Sequence, residues 1–587
     1  MIRIVIGNKD VVLSDDMTFD FIRENAMLTK ASDYTYDIDI DLRIPANKQL
    51  YSHIDRINSS NRPTDRIAEI WDNNKLLVRG TEAILKVEGY KAKIQILANN
   101  SALNYAFDDN VKVRDLDFGS CETRDTASAK ALLNKCYGDN DNTVHECYPV
   151  VKIGDTVYNV WSEYSSNEGP ADDEGYTYKD DDNLRPMPFV LFLMEKLLEV
   201  LGYSIGINHI TADKYRYLCL IHGYDTDEYA KMLPNWTVRE MIEEYEKFFN
   251  VVFFFNSIDK VVDILSVDTF YETVGDEFVG VDDVIDEHDC DYKSSEDEVQ
   301  VSYKNVGYKL PSSEYWKFQN ISKDIYDMCT HETLAMRYTH EYNRTDMVIY
   351  TDPNRKCEWI HWEEAGGATE DEATHKHTLI VNQFRDYIED ENVSRTELRL
   401  IPAQTPCLVV GGGIGYRFSA PVVESTEMGT GYFSDIIRGA EDALVDTMQV
   451  AFYIGLANVR GLDGNPQGFG KSYPSARCAW WIQEENVVWK GDSENGGNQL
   501  HCDYNRSWTF ELCGDYGKAA SELNNAVYVD TAKLYTIKFK TRKFLDPRKK
   551  FVIANRLWYC KQLKYKVERG GVDVIVEGEF YPAKTSQ

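Results

Sequence analysis

Length, composition and charge exclude several classes of protein. The chain has 587 residues, of which 43% are hydrophobic and 12% aromatic, so it can build packed cores and is not a disordered chain. Because single hydrophobic cores stop growing at roughly 250–300 residues, at least three domains are expected. The net charge of −33 disfavours stable binding to nucleic acid or to anionic membranes.

Targeting and cysteine patterns point to an ordinary cytosolic folding environment. The first ten residues lack an apolar run with a small-residue cleavage site, so no secretory signal is visible. The longest apolar stretch, residues 186–202, contains Glu195, Lys196 and Glu199 and is shorter than the roughly 20 residues of a membrane helix. The twelve cysteines include no CxxC pair, which indicates reduced, buried thiols.

The N-terminal part shows strand-like alternation. Asp37, Asp39 and Asp41 fall on one face of a predicted strand, with apolar residues between them. Residues 1–105 are therefore predicted to form an N-terminal β domain. Residues 106–183 are rich in Asp, Asn, Gly and Ser, which predicts an acidic, loop-rich insertion.

Two helix signals and a hairpin follow, so residues 184–270 are predicted to form an α/β helix-hairpin domain. Apolar residues recur at helical spacing before Gly202, a residue typical of helix ends. Thr237 and Glu240 have the spacing of a capping box at the start of a second helix. The apolar runs of residues 251–266 predict a hairpin.

The rest of the chain is predicted to be mainly β. Residues 271–394 are expected to be a mixed β region with acidic loops, and residues 395–530 a turn-rich β domain. Residues 531–587 alternate strongly and are predicted to be a basic C-terminal β meander. The predicted fold class is therefore mainly β and multidomain, with β-barrel or β-sandwich domains and a small α/β insert.

Positive charge is concentrated near the C-terminus. The segment from Lys533 to Arg569 contains thirteen Lys or Arg residues against Asp546 and Glu568, a local net charge of +11. The remainder of the chain therefore carries −33 − 11 = −44. Such a split predicts docking against an anionic surface.

Five cations are the predicted docking residues. Alternation places Lys538, Lys540 and Arg542 on one strand face, and Lys549 and Lys550 follow in the same basic segment. Acidic protein is favoured as the partner over DNA, because each Lys or Arg contact with phosphate would retard DNA that has to slide. The acidic stretches 106–182 and 270–298, in the same or an adjacent subunit, are the predicted counterparts.

Two groups of residues leave a metal site open as an alternative. The three aspartates at 37, 39 and 41 form either a cation ladder or a solvated outer face. The other group has ligand types that zinc prefers, although such spacing arises easily by chance and ordinary surface and core histidines are the favoured interpretation; it consists of Cys357, His361, His375 and His377. No metal and no cofactor is predicted.

The segment around residues 480–508 leaves carbohydrate chemistry open. Trp480, Trp481 and Trp489 could stack on sugars, and Glu484 and Glu485 lie between them. Aromatic residues also fill β cores and subunit interfaces, so the cluster is not specific. Because no catalytic motif is present, including any Ser-centred elbow or zinc-protease helix, no enzyme activity is predicted.

Four blocks of the sequence resemble a known family. They are YDIDIDLRIPANKQLYSHIDRINS at 36–59, the helix and hairpin at 233–265, TELRLIPA at 396–403, and the ending at 551–582. Together they are similar to the baseplate hub or tail-tip proteins of tailed phages and prophages of gut anaerobes. The resemblance covers about half of the chain.

The resemblance implies an annular assembly, usually trimeric, in which β domains continue the tail tube and inserted domains face outward. The implied function is a structural part of the virion tail that joins the tail tube to the distal adsorption apparatus, made in the bacterial cytoplasm. The implied partners are copies of the chain itself and tail-tube, distal-tail and fibre or plug proteins. The alternative is a glycan-binding or glycan-cleaving adsorption protein of the same particle.

Overall fold

The computed structural model describes most of the N-terminal half, separate strands of the following region, and the C-terminal segment. It covers residues 1–29, 31–59, 63, 66–101, 111–121, 124–138, 144–154, 156–163, 176–178, 181–210, 215–257, 259–272, 278–281, 283–292, 306–308, 344–352, 357–364, 374–379, 396–403, 407–410, 416–423, 447–458, 460–461, 472–477, 529–530 and 533–584.

The described residues of the N-terminal segment form eight strands and include two short helices. Apolar and polar residues alternate along most of these strands, as a sheet with one buried face requires. The strands are β1 (Ile2–Ile6), β2 (Lys9–Asp10), β3 (Thr18–Glu24), β4 (Asp33–Thr35), β5 (Ile38–Asp41), β6 (Ile67–Asp72), β7 (Lys75–Glu88) and β8 (Lys91–Leu97), and the helices are α1 (Ala26–Thr29) and α2 (Pro45–Leu50).

The next segment combines helices with short strands. Its helices are α3 (Thr126–Gly138), α4 (Val190–Val200), α5 (Val238–Phe249) and α6 (Val267–Glu272), with 3-10 turns at Val113–Asp115, Asp181–Asn183 and Tyr229–Met232. Its strands are β9 (Glu146–Cys147), β10 (Val151–Ile153), β11 (Thr156–Tyr158), β12 (Trp161–Glu163), β13 (Tyr176–Tyr178), β14 (Met187–Pro188), β15 (Ser204–Asn208), β16 (Leu218–Ile221), β17 (Val251–Asn256) and β18 (Val261–Ser266).

The remaining described segments are strands. Two of them come directly after α6: β19 (Phe278–Val281) and β20 (Val284–Tyr292). The next twelve are β21 (Val306–Tyr308), β22 (Arg344–Asp352), β23 (Cys357–Glu364), β24 (Thr374–Leu379), β25 (Thr396–Leu398), β26 (Leu400–Pro402), β27 (Cys407–Val410), β28 (Tyr416–Ser419), β29 (Val422–Val423), β30 (Met448–Asn458), β31 (Arg460–Gly461) and β32 (Ser472–Arg477). The last four are β33 (Lys533–Lys540), β34 (Lys550–Ile553), β35 (Arg556–Glu568) and β36 (Gly571–Pro582).

Both ends of the chain build one 14-stranded sheet, here called the base sheet. Its main strand order is β2-β1-β6-β7-β8-β4-β3-β35-β36-β33-β20, with β5, β19 and β34 attached beside this path. The N-terminal and C-terminal parts join where β3 pairs antiparallel with β35, from Thr18 opposite Glu568 to Glu24 opposite Gln562. The predicted boundaries at residues 105 and 531 remain predictions, but strands from both sides share this sheet.

Buried side chains from both ends form one core under the base sheet. Phe19 and Phe21 of β3 pack in the same cluster as Tyr565 of β35 and Phe580 of β36. We call residues 1–101, 278–292 and 529–584 the base. The cluster depends on both chain termini, so neither end could bury its apolar face alone.

A second core holds together the part of the chain between the two ends. Helices α4 and α5 pack with strands of residues 146–264, and the same buried cluster includes Leu400, Val450 and Ala476 from the later strands. We call residues 111–272 together with the strands of residues 396–477 the insert. Strand pairing joins its two parts, because β16 pairs with β30 and β10 pairs with β29.

The helix signals of the insert are confirmed. The Thr237 hydroxyl accepts a hydrogen bond from the Glu240 N–H, and the Glu240 carboxylate accepts one from the Thr237 N–H, which makes the predicted capping box. Gly202 follows α4 with a φ of +79°, a conformation in which glycine lacks the penalty of other residues. The predicted hairpin is β17 and β18, which pair antiparallel.

Helix α3 was not predicted from composition. Helix α3 lies inside the stretch 106–183, which was expected to consist of loops and short strands. Asp125 caps it by accepting a hydrogen bond from the Ser128 N–H at 2.8 Å. Val113 and Phe118 of the same stretch lie in the core of the insert, so the stretch contributes to packing and is not only a surface loop.

The base and the insert meet in a small apolar junction. Met27 and Leu28 of the base contact Val252 and Phe254 of the insert, together with Tyr559 of β35. Polar contacts accompany this junction, because the Asn100 side chain bonds to the backbone of β17. The two cores are therefore attached through packed side chains.

The mainly β, multidomain fold class is confirmed, since sheets dominate the described elements. Among the described strands, the main path of the base sheet ends at β2 and β20 and does not close into a ring, so the β-barrel part of the expectation is not confirmed. Within the described residues, no helix has the length and apolarity needed to cross a membrane. The cysteines whose side chains are described form no disulfide, and four of these five are buried.

We expect Asn100→Ala to loosen the junction. The Asn100 amide donates to the Phe253 carbonyl at 2.7 Å and accepts from the Phe255 N–H at 3.0 Å, in a site that is 7% exposed. Leaving these buried backbone groups unpaired should cost about 1–3 kcal/mol and accelerate amide exchange in β17. Hydrogen exchange followed by mass spectrometry would measure this, with Asn235→Ala as the exposed control. Unchanged exchange in β17 would contradict the assignment.

Candidate functional site

The outer face of the base sheet carries the predicted docking residues of β33. Ile537 and Phe539 are buried in the core, and Lys538 and Lys540 alternate with them on the exposed side. Arg542 is exposed in the bend two residues beyond the end of the strand. The strand therefore separates charge from core as its alternation predicted.

Most cations of the basic segment already have a carboxylate neighbour within the base. Each basic strand lies next to a strand that supplies acids, so the positive face is striped with negative charge. The ion pairs within 4.0 Å include Lys533–Asp530, Lys538–Glu577, Arg548–Asp546, Lys561–Glu579, Lys564–Asp20, Lys566–Glu568 and Arg569–Asp15. At least seven of the thirteen cations are thus paired inside one copy of the chain.

These ion pairs affect the electrostatics of the surface more than the stability of the fold. The hydrogen bond from Lys564 to Asp20 raises the pKa of the Lys564 ammonium, and the bond to Glu568 likewise raises the pKa of Lys566. Pairs this exposed add little to the free energy of folding, because water and salt screen them. Their consequence is electrostatic, because Asp20 of β3 and Glu577 and Glu579 of β36 offset part of the local surplus of +11 counted along the sequence.

Lys550 does not lie on an open docking face. Its ammonium donates a hydrogen bond to the Tyr271 carbonyl at 3.0 Å, at the junction between base and insert. Partial burial lowers the pKa of Lys550. Lys549, one residue earlier, is half-buried and its N–H donates to the Asp546 carbonyl at 3.1 Å. These two lysines are therefore separated in environment from Lys538 and Lys540.

Three exposed cations cluster without ion pairs at the end of β33. They are Lys540, Arg542 and Lys543, and none of the described carboxylates lies within 4.0 Å of their charged groups. Val574 and Ile575 of β36 lie beside them, 40% and 39% exposed, with Lys540 opposite Ile575 in the strand register. We call these five residues the cationic patch.

An acidic strand borders the same sheet. Strand β20 pairs with β33 and is the last strand of the path, so no described strand covers its outer edge. It carries Asp286, Glu287, Asp289 and Asp291, and no Lys or Arg. The acidic stretch 270–298 thus contributes the immediate neighbour of the basic strand.

The aspartates of β5 face lysines of β8. Asp39 lies opposite Lys93 in the register, and its carboxylate is 3.0 Å from the Lys91 ammonium. Asp41 instead bonds to Arg43 at 2.7 Å, and these bonds lower the pKa of Asp41. The lysines of the neighbouring strand therefore offset the mutual repulsion of these aspartates, which a bound cation would otherwise relieve. Among the described side chains, no group of three metal-ligating residues is found.

The predicted glycan residues lie outside the described part of the chain. Trp480, Trp481, Trp489, Glu484 and Glu485 all fall between residues 478 and 528. Their arrangement stays a prediction.

The zinc-ligand candidates lie in described strands, although their side chains do not belong to the described part. Antiparallel pairing of β23 with β24 puts His361 opposite His377. Cys357 is at the far end of β23, opposite Asp352 of β22.

Sequence reasoning did not identify two buried carboxylates that tyrosines hold. Glu82 accepts from the Tyr51 hydroxyl at 2.6 Å and from the Arg66 guanidinium at 2.7 Å. Glu146 accepts from the Tyr148 hydroxyl at 2.9 Å and also from that of Tyr229. Both carboxylates are at most 4% exposed, so these hydrogen-bond networks lie inside the cores.

A groove opens at one end of the base sheet, with a volume of about 590 Å³. Val11, Val12 and Trp71 line it together with Arg3 and Arg569. Both arginines are already ion-paired, Arg3 with Asp10 and Arg569 with Asp15. The two arginines that line the groove are therefore already paired with carboxylates of the same chain.

The insert contains one fully buried histidine. The His222 Nε2 donates to the Pro186 carbonyl at 2.7 Å, and the Nδ1 accepts from the Tyr224 N–H at 3.2 Å, which both fit the neutral ring. Burial is the largest cause that lowers the pKa of His222 to about 4; the hydrogen bond to Pro186 opposes this shift, and the charges of Arg185 and Arg124 add to it. The ring therefore stays neutral in the folded chain while an unfolded chain would bind a proton near pH 6.5.

We expect His222 to contribute to the loss of stability of the insert at acid pH. Between pH 6.5 and 4 the unfolded state binds more protons, so stability is full above pH 6.5 and falls by up to about 3 kcal/mol as the pH drops to 4. The variant His222→Gln keeps a donor and an acceptor without titrating, so it should lose less. Thermal midpoints at pH 7 and pH 4.5 would measure this, with His53→Gln as the exposed control. An equal decrease of the thermal midpoint in all three proteins would show that another titrating group controls stability at acid pH.

Comparisons with known proteins give limited information. No protein-family model matches the chain, and no curated protein matches it. Among solved structures, the chain is similar to the 43 kDa tail protein of prophage MuSo2 from Shewanella oneidensis, with 6% identity, 99% of this chain and 96% of that chain covered, and a TM-score of 0.29. It is also similar to a tail protein from Neisseria meningitidis MC58, with 8% identity, the same coverages and a TM-score of 0.28. At these scores, neither likeness decides a function.

Proposed function

We propose that this chain is a structural component of a phage tail, a baseplate hub or tail-tip subunit that joins the tail tube to the distal adsorption apparatus. The observation that carries the proposal is the organisation of the chain. Both termini build one large sheet, and a separately cored insert lies between them. A β domain with inserted domains is what the four resembling sequence blocks imply.

The described chemistry supports a structural role in preference to an enzymatic one. The buried carboxylates Glu82 and Glu146 are consumed by hydrogen bonds within the cores. Charges on the outer sheet face are paired across strands, as in Lys538 with Glu577. Such a surface keeps an acidic subunit soluble and leaves few unpaired charges to define where a partner docks.

Within this role, the cationic patch is the surface that binds a second copy. Of the five cations named from the sequence, Lys538 and Lys550 have partners inside the chain and Lys549 is half-buried. Lys540 and Arg542 remain, and Lys543 joins them. The exposed side chains of Val574 and Ile575 add apolar area, which favours a protein partner over a phosphate backbone. A net charge of −33 also opposes DNA binding.

The acidic edge of β20 is the complementary surface on the next copy. Pairing β20 with another β20 would bring four carboxylates from each copy together, and the strand also contains a register shift between Val284 and His288. Acids and bulges on an edge disfavour such self-pairing. A contact between the patch of one copy and the edge of the next is heterologous, and heterologous contacts generate rings when the rotation closes.

We expect the purified chain to form closed rings, with three copies as the first candidate number. Light scattering and negative-stain microscopy would measure the ring, and mass spectrometry of purified tail particles would detect the chain in the tail. A chain that stays monomeric and is missing from tails would contradict the proposal. Release of reducing sugar from capsular polysaccharide, lost in Glu484→Gln or Glu485→Gln, would instead support the glycan-cleaving alternative.

We expect charge reversal of the patch to weaken ring assembly. The triple variant Lys540→Glu, Arg542→Glu and Lys543→Glu should raise the concentration needed for assembly at least tenfold, because like charges then face each other. Adding Asp289→Lys and Asp291→Lys to the same chain should restore assembly, since both sides are then reversed. Sedimentation at several salt concentrations would measure both effects.

A matched control separates the effect of the cationic patch from the effect of other cations of the basic segment. Lys564→Glu and Lys566→Glu change two paired cations and should leave assembly unchanged, with circular dichroism checking that every variant is folded. If the wild type forms rings and the triple variant does so equally well, the patch is wrong while the tail role stands. Duplex DNA binding by the wild type that the triple variant loses would assign the patch to DNA.

A further inference from the structure

We propose that His361, Glu363, His375 and His377 together hold a zinc ion on one face of the sheet formed by β22, β23 and β24. The inference depends on strand register and is independent of the tail role. In the pairing of β23 with β24, His361 lies opposite His377 and Glu363 lies opposite His375. The four positions therefore form two adjacent cross-strand pairs.

Strand periodicity puts all four positions on the same face. His361 and Glu363 are two residues apart on β23, and His375 and His377 are two residues apart on β24. Residues two apart share a face, and directly opposite residues share it too. Opposite Cα atoms lie roughly 4.5–5.5 Å apart and successive same-face positions roughly 6.5–7 Å apart, so the set is compact.

The residue types match the chemistry of zinc. Zinc in proteins is four-coordinate and takes imidazole nitrogen and carboxylate oxygen among its ligands. Three histidines and one glutamate supply four such donors from two strands. Chance would scatter the chain's 11 histidines over both faces of many elements, whereas here three occupy one face of one hairpin.

The register corrects the looser set that the sequence indicated. Cys357 is four residues from His361 on the same strand, a distance of roughly 13 Å along β23. Its register partner is Asp352 of β22 and not a histidine. Glu363, which the sequence pattern did not single out, takes the fourth position because it lies opposite His375.

The neighbouring register rows extend the set along the sheet. Val348 of β22 lies opposite His361, so β23 is paired on both sides. The next row along the same face contains Tyr350, Trp359 and Leu379.

The metal would fasten a hairpin whose register is otherwise weakly specified. Strand β24 carries Thr374, Lys376 and Thr378 at the alternate positions, so only one of its faces is rich in groups that bind strongly. A one-residue slip moves every side chain to the other face. Binding by His361 and His377 across the strand pair would make the observed register the favoured one.

We expect the full-length chain to bind one zinc ion per copy at pH 7.5. Metal analysis after dialysis would give the stoichiometry, and the absorption bands of bound Co²⁺ would report four-coordination. His361→Ala and His377→Ala should each remove stoichiometric binding, and Glu363→Gln should weaken binding about 10–100-fold. Binding should also fall as the imidazoles protonate below about pH 6.

Two controls decide between this site and unspecific binding by histidines. Cys357→Ser should bind zinc as the wild type does, because that residue lies outside the set. The exchange variant Lys376→His with His377→Lys keeps the composition but moves one imidazole to the other face, and it should lose binding. Limited proteolysis of the full-length chain with and without zinc gives a second measurement that needs no substitution.

Three results would overturn the proposal. The first is a wild type that binds no zinc at micromolar concentration. The second is an exchange variant that binds as tightly as the wild type, which would show that strand register is irrelevant. The third is a Cys357→Ser variant that loses as much affinity as His361→Ala, which would restore the looser cysteine-containing set.

Discussion

The pairing of β3 with β35 is the contact on which the rest of the structure depends. It joins residues 18–24 to residues 562–568, the two ends of the chain, in an unbroken antiparallel register. Phe21 from one end and Tyr565 from the other lie opposite each other in that register and pack in the same core. Closing so long a loop costs little more than closing a shorter one, since each doubling of length adds about 0.6 kcal/mol. A large insert is therefore compatible with a stable base.

Local features of this fold could be predicted from the sequence, because they depend on residues only a few positions apart. The capping box of Thr237 and Glu240 and the alternation along β33 are of this kind. The partner of β3 could not be predicted, since alternation identifies a strand and its buried face but not the strand beside it. Helix α3 was missed for a different reason, because Ala, Leu and Lys form its middle while the surrounding residues are typical of loops.

The basic segment shows how cross-strand neighbours change the meaning of a charge count. Along the sequence, residues 533–569 carry a surplus of +11, yet Asp20 from the N-terminal end pairs with Lys564, and Glu577 pairs with Lys538. Sequence reasoning identified the right strand face but not the acids beside it. It also could not separate Lys550, which bonds to a carbonyl at the junction, from the exposed Lys540. Among the described residues, the cations without a carboxylate within 4.0 Å can be told from the paired ones only in three dimensions.

Three separate segments of the chain belong to the base, and this constrains how the insert is attached. After the helices of the insert, β19 and β20 return to the base sheet and pair with β34 and β33 before the chain leaves again. The apolar junction around Phe254 and Tyr559 adds side-chain packing to these backbone connections. An insert attached by a single linker would swing freely, whereas here the chain passes between base and insert through strands that are paired in the base sheet, and a packed contact adds to these connections. A rotation of the insert relative to the base would therefore have to break the packing around Phe254 and Tyr559.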